Sequence, residues 1–270
     1  MSRFLWVVAV GCGGTKPPEA PEPAAEPPPA AAAPAPAPAD GEPTPAPNTA
    51  APAAPDVVGE VTIQPLYHAT VAFSAGGKTW IVDPWSKAPL GDRKADVVLI
   101  TDLHFDHLDP DAIAAVSTDA TVVVGPQAVA DKAKLSVTIA NGETKDVAGA
   151  KVTAVPMYNL VRGPEAGKLF HDKGRGNGYV IELAGQRIYV AGDTECTPEM
   201  KALTAIDVAF VPMNLPYTMP PEEAAACVAA FHPKILYPYH YGESDLSQVA
   251  TLVGPGVDVR IRDWYPGGRP

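Results

Sequence analysis

From residue 56 onward the apolar positions fall in short, strand-length blocks. Val57–Leu66, Thr70–Phe73, Thr79–Val82 and Val97–Thr101 are rich in β-branched residues. They are separated by Ala75-Gly76-Gly77 and by the loop Pro84–Arg93, and so predict hairpins leading to a buried strand. Asp109-Pro110-Asp111 ahead of Ala112–Val116 reads as a helix with a carboxylate N-cap and proline in its first turn. The pattern then alternates: strand Thr121–Val124, helix Pro126–Lys134, strand Lys151–Val155, and a hairpin of Gly178–Leu183 with Arg187–Ala191. Helix Pro198–Leu203, strand Asp207–Pro212, helix Pro221–Phe231, strand Ile235–Pro238 and a last helix–strand pair complete it. That order predicts mixed sheets covered by helices, with no internal repeat visible in the residues.

The first 55 residues follow different rules. Nearly half of the chain's 32 prolines lie there, alternating with alanine, which favours extended polyproline segments and leaves no apolar face to bury. Ahead of them, Arg3, the apolar run Phe4–Val10 and Gly11-Cys12 have the grammar of an export signal, too short to span a membrane. A cysteine after a small residue resembles a bacterial lipoprotein cleavage site. The expected organisation is therefore an export and lipoprotein signal over residues 1–12, a Pro/Ala linker over 13–55 and one globular domain over 56–270. The domain would sit on the periplasmic side of a bacterial membrane, touching it only through a lipid anchor at Cys12.

The net charge of −11, most of it beyond residue 55, argues against nucleic acid as a partner of the bulk surface. It does not argue against an anionic small molecule, because a bound cation overrides the global field inside a cleft.

Chemistry concentrates at strand ends. Asp102, His104, Asp106 and His107 crowd one short loop after the strand ending near Thr101 and before the capped helix, a density of ligand-type side chains suited to a metal. Gly192 lets the chain turn after a second strand so that Asp193 projects beyond its end. His240 follows a third strand. Polar groups at several strand ends can meet on one edge of a sheet sandwich. No serine nucleophile is indicated, since Gly242-Glu243-Ser244 lacks the closing glycine of a nucleophile elbow.

Across about residues 60–262 these segments resemble the metallo-β-lactamase superfamily, in its branch of simple metal-dependent hydrolases related to ascorbate-phosphate lactonases and N-acyl-phosphatidylethanolamine phospholipases. His68-Ala69-Thr70 and Ile81-Val82-Asp83-Pro84 look like that family's opening hairpins. His104-Phe105-Asp106-His107-Leu108-Asp109 looks like its His-x-His-x-Asp-His motif, Gly192-Asp193-Thr194 like its bridging aspartate and His240-Tyr241-Gly242 like its terminal histidine. The resemblance implies a four-layer αββα sandwich of two mixed β-sheets flanked by helices. It also implies a metal site of Asp102, His104 and His171 and another of Asp106, His107 and His240, bridged by Asp193, with Asp106 and Asp193 the residues closest to catalysis.

The departure is Asp102, which stands where the motif begins with histidine. A carboxylate still binds zinc, at about 2.0–2.2 Å, but is a harder ligand and adds negative charge. One or two divalent ions are expected, zinc first, with manganese or iron also admissible. A divalent cation lowers the pKa of bound water from 15.7 to about 7, so the implied nucleophile is a hydroxide on the metal. The implied activity is hydrolysis of an ester-type bond in a lactone, phosphodiester or similar small substrate, anionic or ester-containing. Its pocket would be walled by Tyr158–Lys168 and Pro212–Met219, with Lys168, Lys173 and Arg175 available to attract an anion. Asp102 is also the best argument for the rival from another class, a non-catalytic extracytoplasmic lipoprotein that binds metal and ligand.

Other groups carry less weight. His68 reads either as a partner of a metal ligand or as a structural residue, and His232 as a helix-end residue. Tyr158, Asn159 and Thr194 are candidate hydrogen-bond donors to substrate or ligands. After Cys12 only Cys196 and Cys227 remain; one disulfide is possible, and a loop or buried thiol is the expected state.

Overall fold

The structure, a computed structural model, describes residues 53–269. The expected signal over 1–12 and all but the last residues of the linker lie outside the described residues. The first sheet is built from β1 (Asp56–Val58), β2 (Val61–Tyr67), β3 (Thr70–Ala75), β4 (Lys78–Val82), β5 (Val97–Leu99), β6 (Val122–Gly125) and β7 (Val137–Thr138). The second contains β8 (Thr144–Val147), β9 (Ala150–Met157), β10 (Gly176–Leu183), β11 (Gln186–Val190), β12 (Val208–Pro212), β13 (Ile235–Tyr239) and β14 (Asp258–Val259). Among the described residues five helices accompany them: α1 (Pro110–Val116), α2 (Gln127–Ala130), α3 (Pro198–Lys201), α4 (Pro221–Phe231) and α5 (Val249–Val253). Two mixed seven-stranded sheets with a few short helices make the αββα sandwich that the sequence predicts.

Strand order equals chain order in both sheets. In each, the first four strands pair antiparallel and the last four parallel, so β4 and β11 occupy the same place in their sheets. The chain thus repeats a topology without repeating a sequence. The inner parallel strands β5, β12 and β13 are buried at every position, as strands covered on both faces must be. Contacts such as the Phe73 and Phe210 rings, 5.6 Å apart, join the two sheets into one core.

Two local differences from the sequence pattern have physical causes. The block Val57–Leu66 is split by a turn at Gly59, whose φ of 58° suits glycine, giving the hairpin β1–β2. The helix expected over Pro126–Lys134 stops at Ala130, because only Val129 is buried and the next turn would be Asp131-Lys132-Ala133-Lys134, with nothing apolar to pack. β7 and β8 are too short, or too charged, to leave a period in the sequence. α1 forms as expected: Asp109 accepts from the N–H groups of Asp111 and Ala112, with proline at the first helical position.

Candidate metal centre

The parallel strands β4, β5, β11 and β13 deliver their chemistry just beyond their C-terminal ends, where sheets of this kind open a cleft. Three of the residues placed there, Asp83 after β4, His240 after β13 and His68 in the β2–β3 turn, hold left-handed backbone with φ of 44°, 46° and 54°. Non-glycine residues in this region cost of order 1–3 kcal/mol each and persist where the surrounding structure fixes them. Gly192, at φ 65°, precedes Asp193; a Cβ there would lie 2.5 Å from Met157 Sδ and 3.1 Å from Thr101 Cβ. No larger residue fits without displacing the strand-end neighbours that set Asp193.

The predicted residues come together. Asp193 Oδ2 lies 3.4 Å from His107 Nε2 and 3.3 Å from His171 Nε2, and its Oδ1 3.3 Å from His240 Nε2. Asp106 Oδ2 lies 3.4 Å from His240 Nε2 and 3.7 Å from His107 Nε2. Ligand-type atoms fall into three compact groups: His107, Asp193 and His240; His68, Asp106 and His240; and Asp102, His104 and His171. Within them His107 Nε2, His171 Nε2, His240 Nε2 and Asp193 Oδ1 are buried with no hydrogen-bond partner. Buried polar atoms are nearly always satisfied, so the orphans on His107, His240 and Asp193, which share one group, are donors of the kind that hold a divalent cation, with His171 in the neighbouring group.

For His107, His171 and His68 the far side of the ring sets the tautomer, assigned from the hydrogen-bond network. His107 Nδ1 donates to the fully buried Asp83 Oδ2 at 2.8 Å, so Nε2 is the ring nitrogen turned to the centre. Asp83 is itself gripped by Thr101, whose N–H and hydroxyl donate at 2.8 and 2.5 Å. His171 Nδ1 donates to Asn159 Oδ1 at 2.7 Å, while the Asn159 amide donates to Tyr217 O at 2.8 Å, so Nε2 of His171 also faces the centre as an acceptor. His68 differs. Tyr265 Oη accepts from the Gly242 N–H at 2.8 Å, so its proton goes to His68 Nδ1 at 2.9 Å, and His68 Nε2 donates to Asp106 Oδ2 at 3.2 Å. Of the two readings of His68, the network selects the partner that orients Asp106.

Burial and mutual attraction oppose each other throughout. Burial pushes the Asp106 and Asp193 carboxyls up, but the surrounding imidazoles, His107 and His240 foremost, outweigh it and hold both well below the usual range. Burial pushes His107 down, and Asp193, Asp106 and Asp83 together raise it well above 6.5. Burial, with His240 beside it, brings His68 down to about 4, so it is neutral at ordinary pH. Asp83 is raised because burial outweighs His107 and Thr101.

Asp102 is fully buried, and its carboxylate is already engaged. Arg175 Nε donates to Oδ1 at 3.1 Å and Nη2 to Oδ2 at 2.8 Å, while His104 Nδ1 meets Oδ2 at 3.0 Å. Burial raises its pKa, but His104, His171 and Arg175 outweigh this and hold the carboxyl well below the usual range. His171 Nε2 stands 3.9 Å away. Lys173 is bound to Glu199 at 2.6 Å and Lys168 to Glu165, both away from the centre's ligands.

Several supporting residues escape a reading of the sequence. Asp83 reads in the sequence as part of the hairpin segment Ile81-Val82-Asp83-Pro84, with nothing to mark it as the partner of a ligand. Glu195, 1% exposed, accepts the N–H groups of Leu160, Val161 and Arg162 at 2.8–3.0 Å and so fixes the loop that begins at Asn159. Thr194 Oγ1 donates to Tyr158 O at 3.1 Å, and Tyr158 Oη to Glu199, so both serve the scaffold. Cys196 and Cys227 form a disulfide where a free thiol is the expected state; their Cα atoms, 5.6 Å apart, stand at bridging distance and tie the segment after Asp193 to α4. His232 caps α4, as expected of a helix-end residue.

Comparison with known proteins agrees with this geometry. The profile of the Beta-lactamase superfamily domain matches residues 62–240. A UPF0173 metal-dependent hydrolase of Thermococcus onnurineus is 30% identical over 220 residues, covering 74% of this chain and 96% of the relative. One of Aeropyrum pernix is 32% identical over 195 residues, covering 66% and 81%. Among solved structures, a Parabacteroides distasonis protein assigned to the metal-dependent hydrolases is 40% identical, with a TM-score of 0.71, covering 75% of this chain and 93% of that one. A metallo-hydrolase of Ignicoccus hospitalis shares the fold at 22% identity, with a TM-score of 0.62, covering 78% and 97%.

Proposed function

Because the chain belongs to the metallo-β-lactamase superfamily and is a metal-dependent hydrolase of that fold, we propose that it cleaves an ester-type bond of a small substrate, a lactone, phosphodiester or similar ester. The observation that carries this reading is the group of buried, unpartnered ligand atoms on His107, His240 and Asp193, with the Asp106 carboxylate beside them. Asp106, His107, His240 and Asp193 would hold a divalent ion, zinc first among the candidates. When bound, such an ion supplies hydroxide from water near neutral pH and polarises the oxygen of the scissile bond.

The chain's own residues do the rest. Asp83 keeps the His107 proton on Nδ1, and Asn159 does the same for His171. His68, neutral and fixed by Tyr265, keeps Asp106 Oδ2 turned inward. Asp106, with 15% of its side chain exposed, is the more open of the two central carboxylates; Asp193, 5% exposed, is confined. Phe105, between His104 and Asp106, is exposed, as are Leu160 and Val161, just after Asn159, and Tyr217, whose carbonyl accepts from Asn159, which supports an ester bearing an apolar substituent.

The test is turnover of nitrophenyl esters, a bis-aryl phosphodiester and a simple lactone before and after exhaustive chelation. At least one is hydrolysed, loses turnover with the metal and regains it on adding zinc or manganese; turnover undiminished in the metal-free protein refutes the proposal. Export with lipidation at Cys12 belongs to the same proposal. It is supported by the Cys196–Cys227 disulfide, since such bonds persist in oxidising compartments, and mass spectrometry finding an unacylated mature N-terminus would overturn it.

A further inference from the structure

Resting on the metal-hydrolase reading, we infer that the Arg175 guanidinium stands in for the second cation, so that this chain holds a single divalent ion, on the side of Asp106, His107, Asp193 and His240. Three residues mark the other position: Asp102, His104 and His171. Two of the three are occupied by the guanidinium. It takes both oxygens of Asp102, through Nε at 3.1 Å and Nη2 at 2.8 Å, and Nη2 also stands 3.4 Å from His104 Nε2. His104 spends Nδ1 on the same carboxylate at 3.0 Å. An ion bound among these ligands would lie against a permanent positive charge that cannot be shed, because arginine does not deprotonate in proteins.

Charge balance points the same way. Asp102, Asp106 and Asp193 are three carboxylates converging on a buried space, and one divalent ion with one guanidinium neutralises them. Replacing the motif's leading histidine by Asp102 adds a negative charge, and Arg175, 73 positions away, supplies the matching positive one in the planar, two-pronged geometry that carboxylates favour. A lone Asp102 would be a buried, unpaired anion; a lone Arg175 would place a cation beside metal ligands. Each residue makes sense through the other. His171 then faces Asp193, its Nε2 3.3 Å from Oδ2. Arg175 Nη1 makes no hydrogen bond among the described residues, and its donors are free to meet an anionic oxygen of the substrate.

The experiment is metal stoichiometry by elemental analysis after reconstitution with excess manganese and removal of loosely bound ions, read together with the electron paramagnetic resonance spectrum. The wild-type chain is expected to hold one ion and to show the signal of an isolated manganese. Arg175→Gln, and the double change Asp102→His with Arg175→Gln, are expected to hold two and to show an exchange-coupled pair. Two ions in the wild type, or one ion in both folded variants, overturns the inference. Should either variant fail to fold, the wild-type stoichiometry and spectrum decide alone. A wild-type protein that takes up no ion refutes the hydrolase reading instead, which keeps the two failures apart.

Discussion

Asp83 touches neither solvent nor the centre of the site, yet the geometry makes it a determinant of metal affinity. Asp83→Asn keeps the size of the side chain and removes one acceptor. Oδ2 now accepts from both His107 Nδ1 and Thr101 Oγ1, and Oδ1 from the Thr101 N–H. If the new amide nitrogen takes the place of Oδ2, His107 loses its acceptor, and its proton moves to Nε2, the atom meant for the ion. If the amide turns the other way, the buried Thr101 N–H loses its partner, at a cost of about 1–3 kcal/mol. Loss of such an orienting partner lowers metal affinity about 10–100-fold, which is about 1.4–2.7 kcal/mol. Competition against a chromogenic chelator measures the affinity, and thermal unfolding of the metal-free protein separates it from any loss of stability. An Asp83→Asn chain that folds and binds zinc as tightly as wild type would refute the argument that the Nδ1 hydrogen bond fixes His107.

Three further outcomes follow from the scaffold. Closing a loop of 31 residues, the Cys196–Cys227 bond stabilises the fold by about 3.7 kcal/mol on the chain-entropy account, so Cys227→Ala lowers the urea midpoint accordingly, and an unchanged midpoint contradicts it. Gly192→Ala adds a left-handed alanine, about 1–2 kcal/mol, to crowding against Met157 and Thr101; the variant is expected to lose about 2–4 kcal/mol by denaturant titration and to bind metal more weakly through the displaced Asp193. Asp56 joins β1 to the C-terminal segment, accepting from Arg262 at 2.8 and 3.0 Å and from Tyr237 Oη at 2.8 Å. Burial raises its pKa, but Arg262 and Tyr237 outweigh it and lower the folded value, so its contribution is present above the unfolded pKa of about 3.9 and disappears as pH falls through the folded one. Asp56→Asn therefore costs about 2 kcal/mol at pH 7 and nothing in strong acid, a convergence that unfolding curves at the two pH values test.

What the sequence reveals and what it hides divide along physical lines. Asp102 to His107 are legible because ligand-type residues crowded after an apolar strand have few other uses, and Asp193 because Gly192 announces a turn. The partners behind them are not legible. Asp83 lies 24 positions from His107 and Asn159 12 from His171, and an aspartate or asparagine after a strand is usually a turn residue. Arg175 reads as a loop cation available to an anion until the fold shows both oxygens of Asp102 in its grasp. Long blocks such as α4 emerge with the right ends, since Pro221 and the left-handed His232 punctuate them, whereas β7 and β8 hold too few residues to carry a period.

The repeated topology shows how equivalent strand ends come to carry different chemistry. β4 and β11 are equivalent strands, each the first of its sheet's parallel half, and each is followed by an aspartate near its end. Asp83 turns at once, in left-handed backbone, and its carboxylate is spent behind His107 on Thr101 and the imidazole. Asp193 comes two residues later, after Gly192 has made the turn, and its Oδ1 stays unpartnered in the cleft. Two equivalent strand ends thus give two different carboxylates, one orienting a ligand and one offered as a ligand. The position of the glycine relative to the aspartate separates the roles. An ion held between His107, oriented by Asp83 at the ends of the first sheet, and Asp193 with His240 at the ends of the second is the arrangement that this asymmetry favours.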